Sequence, residues 1–249
     1  MIKYKDMIKV KIKVPFVKNE YYHIYNRGVD KRIIFNDYFD ILRFIQSMEE
    51  FNSVEPIGSI YENRSKKCGD AIPTSGKLVE IVAYCLNPNH FHLILTPLVE
   101  GGISEFMRRM SIGYTIYFNQ KYNRTGSLFG GTFKSVYIDS DSYLRFLSVY
   151  INLNFEVHQK FQNSKSQKLW HKSSWEEYVN TGITKGRRGE ESQLKKNEND
   201  ICEKKMILSH FNSAKDYKKF AEETLKNIKE ERYGDKDLLK KDFTIGKEF

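Results

Sequence analysis

Two apolar runs separated by three residues constrain the fold of this chain more than any other stretch. The runs lie within Val79–Leu98, are rich in Val, Ile and Leu, and flank Asn87-Pro88-Asn89. Asn and Pro between two such runs are typical of a turn, whereas β-branched residues favour extended backbone. The sequence therefore predicts two adjacent strands, at 79–86 and 90–97, joined by a tight turn.

The second of these strands carries two histidines in alternating positions, His90 and His92. Successive side chains of a strand point to opposite faces, so the two imidazoles share one face while Phe91 and Leu93 occupy the other. Neutral imidazole is a frequent ligand of divalent metals, and two imidazoles on one rigid strand aim at a common point. The alternative is that one histidine caps the strand and the other fills a polar gap in the core. His23, in an earlier strand, could join the pair, although an inward-facing strand of Tyr and His residues more often forms plain core.

The rest of the chain contains further predicted strands and amphipathic helices. The other predicted strands lie at 21–25, at 54–59 (short) and at 127–138 (interrupted by glycines), and an exposed loop is predicted at 63–77. The predicted helices lie at 37–51, 103–122, 141–154 and from Ser213 to Arg232. Asn36 is the predicted cap of the first helix, and Asp139, Ser140 or Asp141 that of the third. We expect a main domain at 1–180, a flexible linker at 181–200 and a helical C-terminal extension at 201–249.

Charge and cysteine usage favour a polyanionic partner in a reducing compartment. The chain has 41 Lys+Arg against 32 Asp+Glu, a net charge of +9, which suits nucleic acid but equally serves solubility. Cys68, Cys85 and Cys202 lie far apart, so neither a zinc signature nor a disulfide framework is predicted. No apolar run reaches the ~18–20 residues of a membrane span, and the lysine-rich N-terminus lacks a signal-peptide core. We expect a cytoplasmic protein without a membrane partner.

A second polar pair, Tyr150 and Asn154, lies on one predicted helix. The two residues are four apart and would therefore project from one face as neighbours. A phenol becomes an effective nucleophile when a cation favours the phenolate, and an amide oxygen can complete a metal site begun by two imidazoles. His90, His92, Asn154 and Tyr150 together predict a site that cleaves a phosphodiester and forms a phosphotyrosine. The chain has 16 tyrosines, however, and Tyr143 lies nearly on the same helical stripe.

Several stretches, in the same order, resemble the single-tyrosine transposases of the HUH superfamily, and most closely the REP-associated tyrosine transposases. The histidine block is Pro88-Asn-His-Phe-His-Leu-Ile-Leu95, and the tyrosine block is Tyr150-Ile-Asn-Leu-Asn154. The other stretches are YHIYNRG at 22–28, MRR at 107–109 leading to YFNQKYNRTG at 117–126, LFGGTFKS at 128–135, and SSWEEY at 173–178, which resembles the C-terminal extension of that family. The resemblance spans about residues 20–180.

The resemblance implies a ferredoxin-like α+β sandwich, with the histidine strand central in an antiparallel sheet and the tyrosine helix beside it. It implies that His90, His92 and Asn154 bind Mg²⁺ or Mn²⁺. Tyr150 would attack single-stranded DNA at hairpin or palindromic repeats, leaving a 5′-phosphotyrosine link and a free 3′-hydroxyl, and the protein would be a homodimer in the bacterial cytosol or nucleoid. Two positions depart from the pattern: Asn154 stands where many insertion-sequence relatives carry Gln, although Asn is usual in the REP-associated branch. Phe155 stands where Asn-Pro is common, which can shift the end of the helix.

A DNA substrate gives the basic residues of these stretches a role. Single-stranded DNA requires cations for its phosphates and aromatic faces for its bases. The cations expected to contact DNA are Arg27, Arg108, Arg109, Arg124 and Lys134.

Two other functions stay open. A replication initiator or relaxase would share the histidine and tyrosine chemistry, although no appended helicase-like segment with a phosphate-binding glycine loop is visible in the sequence. A nucleic-acid-binding module that has lost turnover would keep the fold, although His90, His92 and Tyr150 are all present.

Overall fold

The computed structural model describes residues 15–61, 76–158, 170–180, 183–184, 193–194 and 200–233. Its strands are β1 (Tyr21–Arg27), β2 (Val79–Asn87), β3 (His90–Pro97), β4 (Lys134–Ile138), β5 (Lys172–Ser173), β6 (Ile183–Thr184) and β7 (Gln193–Leu194). Its helices are α1 (Tyr38–Glu50), α2 (Gly102–Lys121), α3 (Asp141–Asn152), α4 (Asn154–Val157), α5 (Trp175–Val179), α6 (Lys205–Leu208) and α7 (Ala214–Tyr233). Most of the predicted loop and most of the predicted linker lie outside the described residues.

The main sheet has five strands in the order β4-β1-β3-β2-β5, and every neighbouring pair is antiparallel. The element order β1-α1-β2-β3-α2-β4 with the spatial order 4-1-3-2 is that of a ferredoxin-like fold, here extended by β5. The predicted α+β class is therefore confirmed, and the histidine strand β3 is the central strand. β6 and β7 form a separate two-stranded pair.

The turn between β2 and β3 is held by backbone hydrogen bonds. Asn87 lies opposite His90, so only Pro88 and Asn89 form the connection. The carbonyl of Pro88 accepts hydrogen bonds from the N–H groups of Ile34 and Phe35 at 2.8 and 3.2 Å, and the carbonyl of Asn89 accepts one from Gly28 at 2.9 Å. This anchoring fixes where the first histidine of β3 begins.

Helices cover both faces of the sheet, because β2 and β3 are apolar on both sides. On one face α1 and α2 bury a cluster that includes Phe44, Phe91 and Tyr114. On the other face α3 and the elements that follow it bury a second cluster, whose members include Ile94, Leu147, Tyr178 and Tyr217. His90 and His92 alternate with Phe91 and therefore belong to this second face.

Two predictions in the first part of the chain are wrong. Asp37, not Asn36, caps α1: its carboxylate accepts from the Asp40 N–H at 2.9 Å, while the Asp40 carboxylate accepts from the Asp37 N–H at 3.3 Å. This reciprocal arrangement is a capping box. Residues 54–59 form no strand, because the carbonyls of Ser53 and Val54 accept from the Arg109 guanidinium instead of a sheet neighbour.

Two later elements are shorter than predicted. The strand expected at 127–138 is regular only from Lys134, since Gly131 adopts a φ of 104°, which side chains disfavour. The helix expected at 141–154 begins after the predicted cap Ser140 but ends at Asn152, because Leu153 leaves helical geometry at φ −108° and ψ 15°. A new helical turn, α4, starts at Asn154.

The C-terminal helix packs on the main domain. Ser213 caps it as predicted, accepting from the Asp216 N–H at 3.2 Å. The Tyr217 hydroxyl accepts from Asn152 Nδ2 at 3.0 Å, and Ser174 Oγ donates to Asn152 Oδ1 at 2.5 Å. A buried chain of hydrogen bonds thus ties α7 to the end of α3. None of the helices in the described segments is long and apolar enough to cross a membrane.

Candidate active site

The register of the sheet gathers chemically active side chains on the face of His90 and His92. Residues directly opposite one another in an antiparallel pair lie on the same face. By this rule the face also carries His23, Tyr25 and Arg27 from β1, Cys85 and Asn87 from β2, and Lys134 from β4. Helix α3 packs against the same face.

His92 is oriented by His23. His92 Nδ1 and His23 Nε2 are 2.9 Å apart, so one ring donates its N–H and the other accepts. His23 is 9% exposed, and burial lowers its pKa to about 3. Burial, and then the neighbouring His23 and His90, lower the pKa of His92 well below its usual range. Both imidazoles are therefore neutral at physiological pH, the form that binds metals.

His90 is held between two asparagines. Its Nδ1 donates to Asn89 Oδ1 at 2.7 Å, which leaves the lone pair on Nε2. Asn87 Nδ2 donates to that lone pair at 3.0 Å. Burial, and then the neighbouring Arg27, lower the pKa of His90 to about 4, so this ring is neutral as well.

Asn154 joins the same cluster through Asn87. The Asn154 side chain is fully buried, and its Oδ1 accepts from Asn87 Nδ2 at 2.8 Å. The lone pairs of His90 Nε2 and Asn154 Oδ1 therefore converge on a single atom. The other amide atom of Asn154, Nδ2, is buried without a hydrogen-bond partner. The expectation that Asn154 continues the helix of Tyr150 is wrong, because Leu153 interrupts it, yet the break still brings Asn154 to the histidines.

These donors fit a divalent cation. Two neutral imidazoles and an amide oxygen are suitable ligands, and lone pairs that converge on one point are what a cation requires. Among the described residues no group of three or more His, Cys, Asp or Glu side chains is placed to hold a metal. A cation here would therefore depend on Asn154 and on oxygens from a substrate in addition to the imidazoles.

Tyr150 lies against this cluster. Its ring meets the ring of His92 edge to face, with centroids 6.3 Å apart and planes at 75°. For Tyr143, two turns earlier on α3, burial, and then the nearby Asp139, raise the pKa of the hydroxyl to about 12. The phenolate is thus disfavoured at Tyr143, and the ring that contacts a predicted metal ligand is that of Tyr150.

The five predicted DNA-contacting cations fall into two groups. Arg27 lies opposite His90, and Lys134 lies opposite Tyr25, so both are on the histidine face. Burial lowers the pKa of the Arg27 guanidinium. The structure therefore brings these two cations to the same side of the sheet as the histidines.

The other three cations lie on the far layer of the sandwich, on α2 or just after it. Arg108 and Arg109 bind Glu105 at 2.7 and 2.6 Å and line a groove of about 520 Å³ between α2 and residues 56–61. Arg109 also donates to two backbone carbonyls, which gives it a structural role. Arg124 donates to Asn119 Oδ1 at 2.8 Å. The structure does not bring these three residues to the histidines.

The structure brings His23, weighed above as a third histidine, to the pair, together with two residues not singled out as site residues in the sequence, Asn87 and His158. Asn87 is the residue opposite His90 in a two-residue hairpin, so the predicted turn contained the signal for it. His23 alternates with Tyr25 on a strand whose register with β3 the sequence does not specify. His158 follows α4; burial, and then Arg232 and His90, lower its pKa to about 3, and no sequence pattern marks it.

Known proteins provide an independent comparison. The family described as "Transposase IS200 like" matches residues 61–154, a stretch that contains the histidine pair, Tyr150 and Asn154. The match confirms the predicted resemblance to insertion-sequence transposases over those residues. No curated protein gives a significant match. A solved structure of a REP-associated tyrosine transposase bound to a REP hairpin aligns with 60% of this chain and 74% of its own, at 15% identity and a TM-score of 0.37.

Proposed function

We propose that this chain is a metal-dependent single-stranded DNA endonuclease and strand transferase of the transposase type. It would act at hairpin or palindromic repeats and form a 5′-phosphotyrosine intermediate. The observation that carries the proposal is the contact of the Tyr150 ring with His92, beside the point where lone pairs of His90 and Asn154 converge. The match to the IS200-like family over the same residues supports it.

Three residues of the chain would bind the cation. His90, His92 and Asn154 would hold Mg²⁺ or Mn²⁺, with His92 binding through Nε2 because its Nδ1 is engaged with His23. When bound, the cation supplies charge that polarises the phosphorus through its non-bridging oxygens. Burial would keep the imidazoles neutral, and the hydrogen bond with His23 would keep the His92 ring oriented toward the cation.

Tyr150 would carry the covalent step. Its phenol gives up a proton to water as Oη attacks the phosphorus. The Oη–P bond forms while the P–O3′ bond breaks, and the 3′ oxygen takes up a proton to become a hydroxyl. Strand transfer is the reverse step with a different 3′-hydroxyl. The buried Nδ2 of Asn154 would find an acceptor in a phosphate oxygen of the bound strand.

The test of this function is adduct formation by the wild-type chain. Purified protein is incubated with hairpin-bearing single-stranded DNA labelled on the 3′ side of the scissile bond, with Mn²⁺ or EDTA. We expect a denaturation-resistant protein–DNA band with Mn²⁺ and none with EDTA. DNA binding without any adduct, under every metal condition, would replace the proposal with a non-catalytic binding module. Adducts with plasmid origins but not with chromosomal repeats would favour an initiator or relaxase.

We also propose that the five cations contact DNA at two places. Arg27 and Lys134 would hold the strand at the tyrosine, whereas Arg108, Arg109 and Arg124 would contact DNA beyond the site. Arg27→Gln combined with Lys134→Gln should therefore weaken binding of a short unstructured strand about tenfold. The slope of log Kd against log salt concentration should correspond to about two fewer released counterions.

The matched control for these substitutions is Arg108→Gln. It should leave binding of the short strand unchanged and weaken only binding of a longer hairpin-bearing strand, as measured by fluorescence anisotropy across a salt series. Equal losses on both substrates would contradict the two-place arrangement. A homodimer and a cytoplasmic location, both implied by the family resemblance, remain part of the proposal.

A further inference from the structure

Asn87 forms hydrogen bonds with two of the proposed metal ligands, His90 and Asn154. It is the last residue of β2, lies opposite His90 and is 3% exposed. Its Nδ2 donates to His90 Nε2 at 3.0 Å and to Asn154 Oδ1 at 2.8 Å. Both acceptors are ligands in the proposed function, on which this inference rests.

An amide N–H and a cation cannot use the same lone pairs. The hydrogens of Nδ2 carry positive partial charge and satisfy two buried acceptors that would otherwise lack a donor. His90 Nε2 has a single lone pair, so a divalent cation that binds it must displace the Asn87 N–H. The Asn87 side chain must then either move away from the site (withdraw) or rotate its amide so that the oxygen and the nitrogen exchange places (turn over).

Rotation of the Asn87 amide sacrifices little hydrogen bonding on the oxygen side. Among the described residues, the hydrogen-bond donor to Asn87 Oδ1 is a weak one, Cys85 Sγ at 3.6 Å. Rotation of the amide by about 180° about the Cβ–Cγ bond, which interchanges oxygen and nitrogen in nearly the same volume, would present Oδ1 to the point where Nδ2 now stands. Withdrawal, in contrast, would require room that a nearly buried side chain on a central hairpin does not have.

We propose that Asn87 is a further ligand of the cation, binding through Oδ1 after its amide turns over. In the absence of metal, the same side chain keeps His90 and Asn154 in place through its Nδ2. The cation would then be held by His90, His92, Asn154 and Asn87, the last two through amide oxygens, which are ligands suited to Mg²⁺ and Mn²⁺.

The experiment measures Mn²⁺ binding to the full chain without DNA, from the electron paramagnetic resonance signal of free Mn²⁺. Asn87→Leu removes the oxygen at similar volume and should weaken binding about tenfold, whereas Asn87→Asp replaces the donor with a second oxygen and should tighten it about tenfold. The matched control is Asn26→Asp, a buried amide on the opposite face of the same sheet, whose Nδ2 bonds Gly131 O at 3.0 Å. This control should leave the affinity unchanged.

Thermal unfolding with and without Mn²⁺ accompanies each measurement. Asn87→Asp should gain more stability from Mn²⁺ than the wild type does, even where the metal-free variant is poorly folded, and Asn87→Ala replaces Asn87→Leu if the latter does not fold. Tighter or unchanged binding by Asn87→Leu, or no gain by Asn87→Asp, would show that the amide merely withdraws and would overturn the inference. Loss of binding in the wild type itself would overturn the metal-dependent function as well, so the two failures are distinguishable.

Discussion

We expect Tyr150→Phe to abolish the covalent protein–DNA adduct and to lower cleavage by at least about 10³-fold, because the variant keeps the ring but lacks the proposed nucleophilic oxygen. The ring packs edge to face with His92 in the wild type, and Phe preserves that contact. Folding and DNA affinity should therefore stay at wild-type levels. The measurement is the denaturation-resistant band with a hairpin-bearing single strand and Mn²⁺, followed by tryptic mapping of the labelled peptide.

Tyr143→Phe is the matched control for this substitution. Tyr143 lies on the same helix and faces the same side of the sheet, but burial raises the pKa of its hydroxyl to about 12. We expect adduct formation within about twofold of wild type. If Tyr143→Phe removes the adduct and Tyr150→Phe does not, the assignment of the nucleophile is wrong.

His92→Ala has the second-largest expected effect. It removes one of two imidazoles from the proposed metal site and also leaves His23 Nε2 without its partner at 2.9 Å. We expect Mn²⁺-dependent cleavage to fall by about 10²-fold or more, while DNA affinity changes less than about twofold, since cationic contacts supply most of the affinity. Cleavage is followed on denaturing gels and affinity by anisotropy in the same buffer.

His23→Phe separates orientation from ligation. Phe fills the volume of the imidazole but cannot hold His92 by a hydrogen bond, so Mn²⁺ affinity should fall about 10- to 100-fold. Cleavage should recover when Mn²⁺ is raised in proportion, which His92→Ala should not allow. Full cleavage by His92→Ala at ordinary Mn²⁺ would remove the histidine pair from the mechanism.

Much of the fold followed from short-range patterns. The alternation that assigned His90 and His92 to one face depends only on the period of a strand, and the turn at Pro88 depends only on local preference, so both survive in the structure. The cap of α1 was misplaced by one residue because Asn36 and Asp37 are both good caps. Asp37 prevails because Asp40, three residues on, returns the hydrogen bond.

The site was harder to predict, because its bonds join residues distant in sequence. His23 and His92 are 69 positions apart, and their contact depends on the register between β1 and β3, which sequence periodicity leaves undefined. The spacing of Tyr150 and Asn154 likewise does not predict that the helix is interrupted at Leu153. The spacing suggested neighbours on one helix face, whereas the structure brings Asn154 to His90 through a separate helical turn.

The hydrogen bonds that Asn152 donates to Tyr217 and accepts from Ser174 bear on how shortened proteins should be interpreted. A fragment that stops at residue 180, although it contains the histidines and both candidate tyrosines, would lack Tyr217, whose hydroxyl accepts from Asn152 at the end of the helix that carries Tyr150. Inactivity of such a fragment would reflect a misplaced phenol as readily as a missing reaction. Biochemical assignments for this protein therefore belong to point substitutions in the full-length chain.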